Sequence, residues 1–174
     1  RKCGFDNINT DLIAGLPTDT PESFKNSLDS IVRLNAECIT VHTLCMKRAS
    51  RLTTEGVTLD LQQARDAREM LAYTQNILGQ NEYIPYYMYR QSRMVGNLEN
   101  VGWSKRGFES LYNVYVMDET HTILACGSGG VTKLKRNNPD YLERIFNFKY
   151  PYEYIDRFDE LIQRKSGIMQ FYGQ

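Results

Sequence analysis

The sequence predicts an α/β fold in which strands of a parallel sheet alternate with helices. A short run with alternating apolar side chains, residues 7–14, stops at residues 15–17, which include glycine and proline. A helix start follows directly, because Thr20 can cap a helix and Pro21 suits its first turn. A second apolar run, residues 38–44, comes after that helix. This order of strand, helix and strand predicts a βαβ unit.

The middle of the chain continues the alternation. Apolar side chains recur at helical spacing from about residue 60 to Gly79, which predicts an amphipathic helix ending at the glycine. Residues 83–91 are rich in tyrosine and predict a third strand, in which Pro85 weakens the hydrogen-bond ladder. Residues 95–110 contain three glycines and the single tryptophan, and we expect a long ordered loop there.

The remainder predicts a β-hairpin extension and a final helix. The hairpin strands are expected at residues 111–117 and 122–126, because both runs favour extended backbone. A glycine-rich segment follows at residues 127–132; it matches no phosphate-binding motif and indicates close backbone approach to a ligand. A short strand, residues 144–148, then precedes a helix from Pro151.

Length and composition limit what the chain can do by itself. A complete (β/α) barrel needs roughly 250 residues, so 174 residues beginning with Arg1 predict a fragment of a longer protein. Lysine plus arginine and aspartate plus glutamate are both 21, so no net field favours nucleic acid or an anionic membrane. No apolar run approaches the roughly 18 residues of a membrane span, and a cytoplasmic location is expected.

Cysteine and histidine usage predicts no metal or cluster site. The four cysteines are far apart and none forms a close CxxC pair. Zinc and iron–sulfur sites need several ligands, usually with such close spacing. His42 lies inside a predicted strand with no second histidine near it, so a hydrogen-bonded structural histidine is expected there.

Several segments together resemble one family of enzymes. The segments are Gly4-Phe5, NTDLIAGLP at residues 9–17, TPESF at residues 20–24, VHTLCMKR at residues 41–48 and NLENVG at residues 97–102. This combination resembles the oxygen-independent coproporphyrinogen III oxidases and their radical S-adenosylmethionine (radical SAM) relatives. It is most similar to the oxidase-like branch found in clostridia and bacilli, and the resemblance extends over nearly the whole chain.

The resemblance implies a more specific architecture, the C-terminal portion of a partial (β/α) TIM-like barrel of the radical SAM type. Residues 1–94 would form the last βα units of that barrel. Residues 95–174 would form a C-terminal extension of loop, β-hairpin, glycine-rich segment and final helix, packed on the barrel as one domain. The N-terminal half of the same barrel would then be the partner of this chain.

The same resemblance implies an oxidoreductase activity for the intact protein. This is the oxidative decarboxylation of propionates of coproporphyrinogen III to protoporphyrinogen IX in haem biosynthesis, with S-adenosylmethionine and a 4Fe-4S cluster as cofactors. The family holds its cluster in a CxxxCxxC loop that this sequence lacks, so we expect the fragment alone to bind no cofactor and to be inactive. An alternative is a haem- or porphyrin-binding carrier or chaperone related to these oxidases.

Five residues are expected to bind the cofactor, and no residue of this chain is predicted to be catalytic. The five are Asp11, Cys45, Val131, Gly127 and Gly129. The resemblance implies that Asp11 accepts hydrogen bonds from ribose or amino groups, that the Cys45 backbone meets adenine, and that Val131 makes an apolar contact. The alternative for Asp11 is a structural role in ordering the turn at residues 15–17.

Three basic residues are expected to bind the carboxylates of a tetrapyrrole substrate. They are Arg48, Arg90 and the weaker candidate Lys47. Each follows a predicted strand at the carboxyl end, where ligands of α/β barrels lie, and a guanidinium group matches a carboxylate in two-point geometry. The alternative is that these side chains form surface ion pairs, for example with Glu55 or Glu99.

Overall fold

The computed structural model describes residues 1–45, 61–91, 94–136 and 141–173. The chain forms two compact units, which divide between Ser110 and Leu111 and are considered separately below. The division expected at residue 94 lies earlier than this one. The reason is that residues 100–104 pair as a strand within the sheet of the first unit.

The first unit begins with the predicted succession of strand, helix and strand. Its elements are β1 (Asn9–Ala14), α1 (Pro21–Leu34), β2 (Cys38–Thr43), α2 (Leu61–Gln80), β3 (Ile84–Tyr89), a 3-10 turn (Val95–Asn97) and β4 (Asn100–Ser104). The hydroxyl of Thr20 caps α1 by accepting the backbone N–H of Ser23 at 3.2 Å. Asn35 ends the helix in the left-handed conformation, with φ of 58°. The predicted start of this helix is therefore confirmed.

The sheet of the first unit has the strand order β1-β2-β4-β3. β1 and β2 are parallel, whereas β4 is antiparallel to both of its neighbours, so β3 runs in the same direction as β1 and β2. The prediction of a loop over residues 95–110 was wrong for residues 100–104, which form β4. This strand separates two parallel strands that a simple βα succession would place side by side.

Both long helices pack on one face of this sheet. Side chains of α1 and α2, among them Phe24, Leu28 and Met70, form a buried cluster with side chains of the strands. Gly15 closes β1 beside this cluster with φ of 84°, and a Cβ atom there would lie 3.2 Å from the Cβ atom of Ala67. The close approach of α2 to the end of β1 therefore requires glycine.

The second unit has a different arrangement from the one expected. Its elements are α3 (Leu111–Asp118), β5 (Val131–Lys135), β6 (Leu142–Phe146), α4 (Pro151–Asp156) and α5 (Phe158–Tyr172). The predicted hairpin was wrong, because residues 111–118 are helical and residues 122–126 contribute only an isolated bridge from Ile123 to Lys133. The hairpin is instead formed by β5 and β6. Within the described parts, no helix is long and apolar enough to cross a membrane.

Candidate cofactor-binding face

The sheet face that α1 and α2 leave uncovered carries mostly polar side chains. Side chains alternate between the two faces of a strand, and Leu12, Ile39, Val41 and Trp103 belong to the cluster on the helix side. The opposite side, which we call the open face, carries Asn9, Asp11 and Ile13 from β1, Thr40 and His42 from β2, and Tyr87 and Tyr89 from β3. Such a row of polar groups beside exposed Ile13 can bind a ligand that is partly polar and partly apolar.

The carboxylate of Asp11 has a protein group at each oxygen. Asn9 donates a hydrogen bond from Nδ2 to Oδ1 of Asp11 at 2.7 Å. On the other side, Nε2 of His42 lies 3.5 Å from Oδ2 of Asp11. The Asp11 side chain is still 57 % exposed, so lone pairs of both oxygens remain accessible.

His42 connects Asp11 with β3. Its Nδ1 lies 3.4 Å from the hydroxyl of Tyr89, and the two rings meet edge to face. The predicted hydrogen-bonded histidine is thus present, but its partners belong to the open face rather than to the core. Asp11, His42 and Tyr89 form a polar row that crosses the sheet from β1 to β3.

Tyr87 is fixed on the same face by the absence of a side chain at Gly102. A Cβ atom at Gly102 would lie 1.9 Å from Cε1 of Tyr87, so the phenol ring rests directly on the backbone of β4. Its hydroxyl reaches Thr40 on β2 at 3.2 Å, and its ring stacks on Tyr89 with 6.4 Å between centroids. Burial raises the pKa of Tyr87 above its usual value.

Cys45 lies just beyond β2, next to the carboxyl ends of the parallel strands. The backbone N–H of Leu44 donates to the carbonyl of Ala14 at 2.9 Å, which continues the parallel pairing past β1. Cys45 then forms an isolated bridge with Met94. In the parallel register Asp11 lies opposite Thr40, five residues before Cys45 along the chain. Their roles in cofactor binding stay predictions.

The other three expected cofactor residues lie in the second unit. Val131 is the first residue of β5, and Gly127 and Gly129 have φ of 86° and 71°. The backbone N–H groups here have partners within the unit: Gly127 donates to the hydroxyl of Tyr154, and Gly129 donates to the carbonyl of Phe148. These two amides are therefore not available to cradle an anion. The meeting of Val131 with Asp11 stays a prediction.

Arg90 follows β3 as expected but pairs with an acidic neighbour. Its Nη2 lies 2.6 Å from Oε1 of Glu99, and both side chains are about half exposed. Arg90 also lines a cavity of about 310 Å³ together with Val41 and Trp103, which places it on the helix side of the sheet. The ion pair anticipated as the alternative is thus present, and Arg90 does not extend over the open face. Lys47 and Arg48 lie outside the described residues.

Comparison with known proteins gives these features a family context. No model of a known protein family matches the chain. A relative from Bacillus subtilis (strain 168), the oxygen-independent coproporphyrinogen-III oxidase-like protein HemZ, is 37 % identical over 170 residues. The match covers 98 % of this chain and 34 % of that relative, so the chain spans about a third of its length. Over nearly all of its own length, this chain is therefore similar to part of an oxygen-independent coproporphyrinogen-III oxidase-like protein.

A solved structure supports the fold of this oxidase-like chain. The coproporphyrinogen III oxidase HemN from Escherichia coli, described as a radical SAM enzyme, superimposes with a TM-score of 0.57. The match covers 91 % of this chain and 35 % of that protein at 19 % identity, which shows a shared fold alone. The predicted fold class, part of a mixed α/β radical SAM barrel, is confirmed.

The described residues of this chain do not offer a set of ligands for an iron–sulfur cluster. Among the described residues, no group of three or more histidine, cysteine, aspartate or glutamate side chains could hold a metal. Cys38 is buried, its thiol donates to the carbonyl of Phe108 at 3.0 Å, and burial raises its pKa, which disfavours the thiolate that a cluster needs. The open face offers accessible acceptor oxygens on Asp11 beside exposed Ile13, and the binding of S-adenosylmethionine there stays a prediction.

Sequence reasoning did not connect His42, Tyr87 and Tyr89 with Asp11. The signal for β1 and β2 was available: Asp11 and His42 occupy the same face if the two strands pair in parallel with Ile13 opposite His42. No sequence signal was available for Tyr87 and Tyr89, because their position depends on β4. The sequence pattern of residues 100–104 does not predict a strand.

Proposed function

We propose that the protein containing this chain is a radical SAM oxidoreductase that oxidatively decarboxylates propionate side chains of coproporphyrinogen III. The observation that carries the proposal is the open face with its accessible Asp11 carboxylate. Almost the whole of this chain is similar to a part of HemZ. S-adenosylmethionine and a 4Fe-4S cluster supply the one-electron chemistry when bound. The cluster ligands lie outside this chain, so the chain alone is inactive in this proposal.

The part played by this chain is to bind and orient the nucleoside portion of the cofactor. Asp11 accepts hydrogen bonds from ribose hydroxyl groups, because its carboxylate is half exposed and already oriented by Asn9. Ile13, on the same face and 42 % exposed, offers an apolar surface beside it. The Cys45 backbone and Val131 complete the contacts to adenine and its surroundings, with Gly127 and Gly129 shaping the segment that closes over the cofactor.

The substrate side of the proposal rests on the basic residues Arg48, Arg90 and Lys47. Of these, Arg90 lies on the helix side of the sheet and would have to leave Glu99 to reach a substrate carboxylate. A tetrapyrrole with several propionates needs several cationic groups for recognition. Substituting Arg48 or Arg90 by Gln in the full-length protein should weaken tetrapyrrole binding while the fold is retained. Lys25→Gln is a matched control for Arg90→Gln, because Lys25 forms an ion pair of the same length, 2.6 Å, with Glu69 on the surface. If the arginine variants and the control bind the tetrapyrrole with equal affinity, the arginines have no role in substrate binding and serve only in surface ion pairs.

Turnover by the full-length protein tests the proposed function. We expect S-adenosylmethionine cleavage that depends on coproporphyrinogen III and is coupled to release of carbon dioxide. Tight haem binding without cleavage or decarboxylation would instead identify a carrier, for which the stacked tyrosines of β3 could flank a flat ring. Absence of both activities would overturn the proposal.

A further inference from the structure

The orientation of Asp11 depends on two neighbours with different chemistry. Asn9 is the next residue but one on the same strand, and its amide donates to Oδ1 of Asp11. His42 belongs to β2, and its Nε2 faces Oδ2 of Asp11 at 3.5 Å. Both oxygens lie off the axis of the terminal bond, so a group at either oxygen opposes rotation of the carboxylate, and groups at both oxygens oppose it more strongly. His42 therefore adds to the restriction that Asn9 already supplies.

The second nitrogen of His42 has a partner that can fix the tautomer. When the hydroxyl of Tyr89 donates to Nδ1, the neutral imidazole carries its proton on Nε2, the nitrogen that lies 3.5 Å from Oδ2 of Asp11. Tyr89 is itself held by stacking on Tyr87 at an interplanar angle of 9°. Tyr87 rests on Gly102, so the arrangement is anchored to the middle of the sheet.

We propose that His42 is a positioning residue, which holds the Asp11 carboxylate in the orientation that receives the ribose hydroxyl groups of a nucleoside cofactor. Tyr89 supports it by fixing the tautomer of the imidazole. This inference rests on the proposed function, since it assigns a role within the same site. His42 acts through Asp11 and does not contact the cofactor.

Two substitutions separate this role from a structural one. In His42→Gln the side-chain amide nitrogen takes the place of Nε2 and can still donate to Asp11. In His42→Asn the shorter amide reaches only the place of Nδ1, next to Tyr89, and the donor facing Asp11 is lost. We expect S-adenosylhomocysteine, measured by calorimetry with the full-length protein, to bind about tenfold more weakly to His42→Asn and nearly normally to His42→Gln.

The same measurement includes two further variants. Tyr89→Phe keeps the ring stacking but loses the hydroxyl that fixes the tautomer, and we expect about threefold weaker binding. His121→Asn makes the same substitution at the other histidine of this chain, which lies in the second unit beside Thr120, and affinity should not change. Thermal unfolding of the His42 variants should match the wild type, because a positioning role does not require loss of stability.

A double-mutant cycle decides whether His42 acts through Asp11. In an Asp11→Ala background, His42→Asn should weaken binding no further. A full tenfold loss in that background, or normal affinity of His42→Asn in the wild-type background, would overturn the inference. If the inference is overturned in this way while the wild-type protein still binds S-adenosylhomocysteine and turns over coproporphyrinogen III, the proposed function stands. A wild-type protein that binds no S-adenosylhomocysteine refutes both.

Discussion

Replacing Gly102 by alanine should dislodge Tyr87 from the open face. The added Cβ atom would lie 1.9 Å from Cε1 and 2.4 Å from Cδ1 of Tyr87, far inside van der Waals contact. The backbones of β3 and β4 are both held in the sheet, because Tyr87 pairs with Gly102 in the register of the two strands. The ring must therefore turn away, since the strand cannot.

The cost of Gly102→Ala follows from what Tyr87 loses. Its hydrogen bond with Thr40, 3.2 Å in length, contributes about 1 kcal/mol. Forcing an extra methyl group into an occupied space costs about 1–3 kcal/mol, part of which is the loss of stacking on Tyr89. Together these contributions predict a decrease of about 2–4 kcal/mol in the free energy of unfolding.

Urea denaturation of the chain measures this decrease, and Gly79→Ala is the matched control. Gly79 lies inside α2 and a Cβ atom there would meet nothing within 4 Å, so alanine should stabilise the helix by about 0.5–1 kcal/mol. In a Tyr87→Ala background the penalty of Gly102→Ala should nearly vanish. A Gly102→Ala chain as stable as the control would show that the ring does not lie on β4.

Three more outcomes are expected. Asp11→Ala in the full-length protein should weaken S-adenosylhomocysteine binding by about 1.5–3 kcal/mol, and unchanged affinity would favour the turn-ordering role. Anaerobic reconstitution of this chain should yield no stoichiometric iron and sulfide; a full cluster would contradict the cysteine argument. The hydrogen bond from Arg1 lowers the pKa of Glu37 below its usual 4.5, so its stabilisation is complete above that value and is lost as pH falls through the lowered pKa. Glu37→Gln should therefore lose less stability than wild type between about pH 6 and 3, measured by urea midpoints; equal losses would exclude this linkage.

Local sequence signals were sufficient to predict the first strand, the first helix and the second strand. Thr20 and Pro21 mark the beginning of α1 by capping chemistry that operates within a few residues, and the apolar stripe of the helix needs only one sheet face to pack on. The predicted third strand and α2 were recovered for the same reason. These elements are specified by neighbours in the sequence, so no knowledge of the tertiary fold was needed.

Elements specified by distant partners were not recovered. β4 contains Gly102 in a run of only five residues, and it becomes a strand because β2 and β3 offer hydrogen bonds on both sides. The opposite error occurred at α3, where valine and tyrosine suggested a strand. No residue of that helix is buried, so neither periodicity nor packing distinguished the two possibilities.

The candidate site was predictable only in part, for a related reason. Asp11 was selected because its surroundings resemble a known family, and it lies in the first half of β1. The structure adds His42 and Tyr89, whose proximity depends on the pairing of three different strands. Arg90 was placed correctly at the end of β3, but the direction of its side chain depends on Glu99, which no strand pattern specifies.

The insertion of β4 also restricts how this part of the protein can evolve. β2 and β3 lie two strand spacings apart, about 10 Å, and tyrosine is long enough to extend from one toward the other across a strand without a side chain. Positions 87 and 102 should therefore covary among relatives, with a large aromatic residue at one and glycine at the other. An ancestral change at position 102 could survive only after position 87 had become small, so the order of these two substitutions is constrained. Reconstructed ancestors that carry a side chain at position 102 should consequently lack an aromatic residue at position 87.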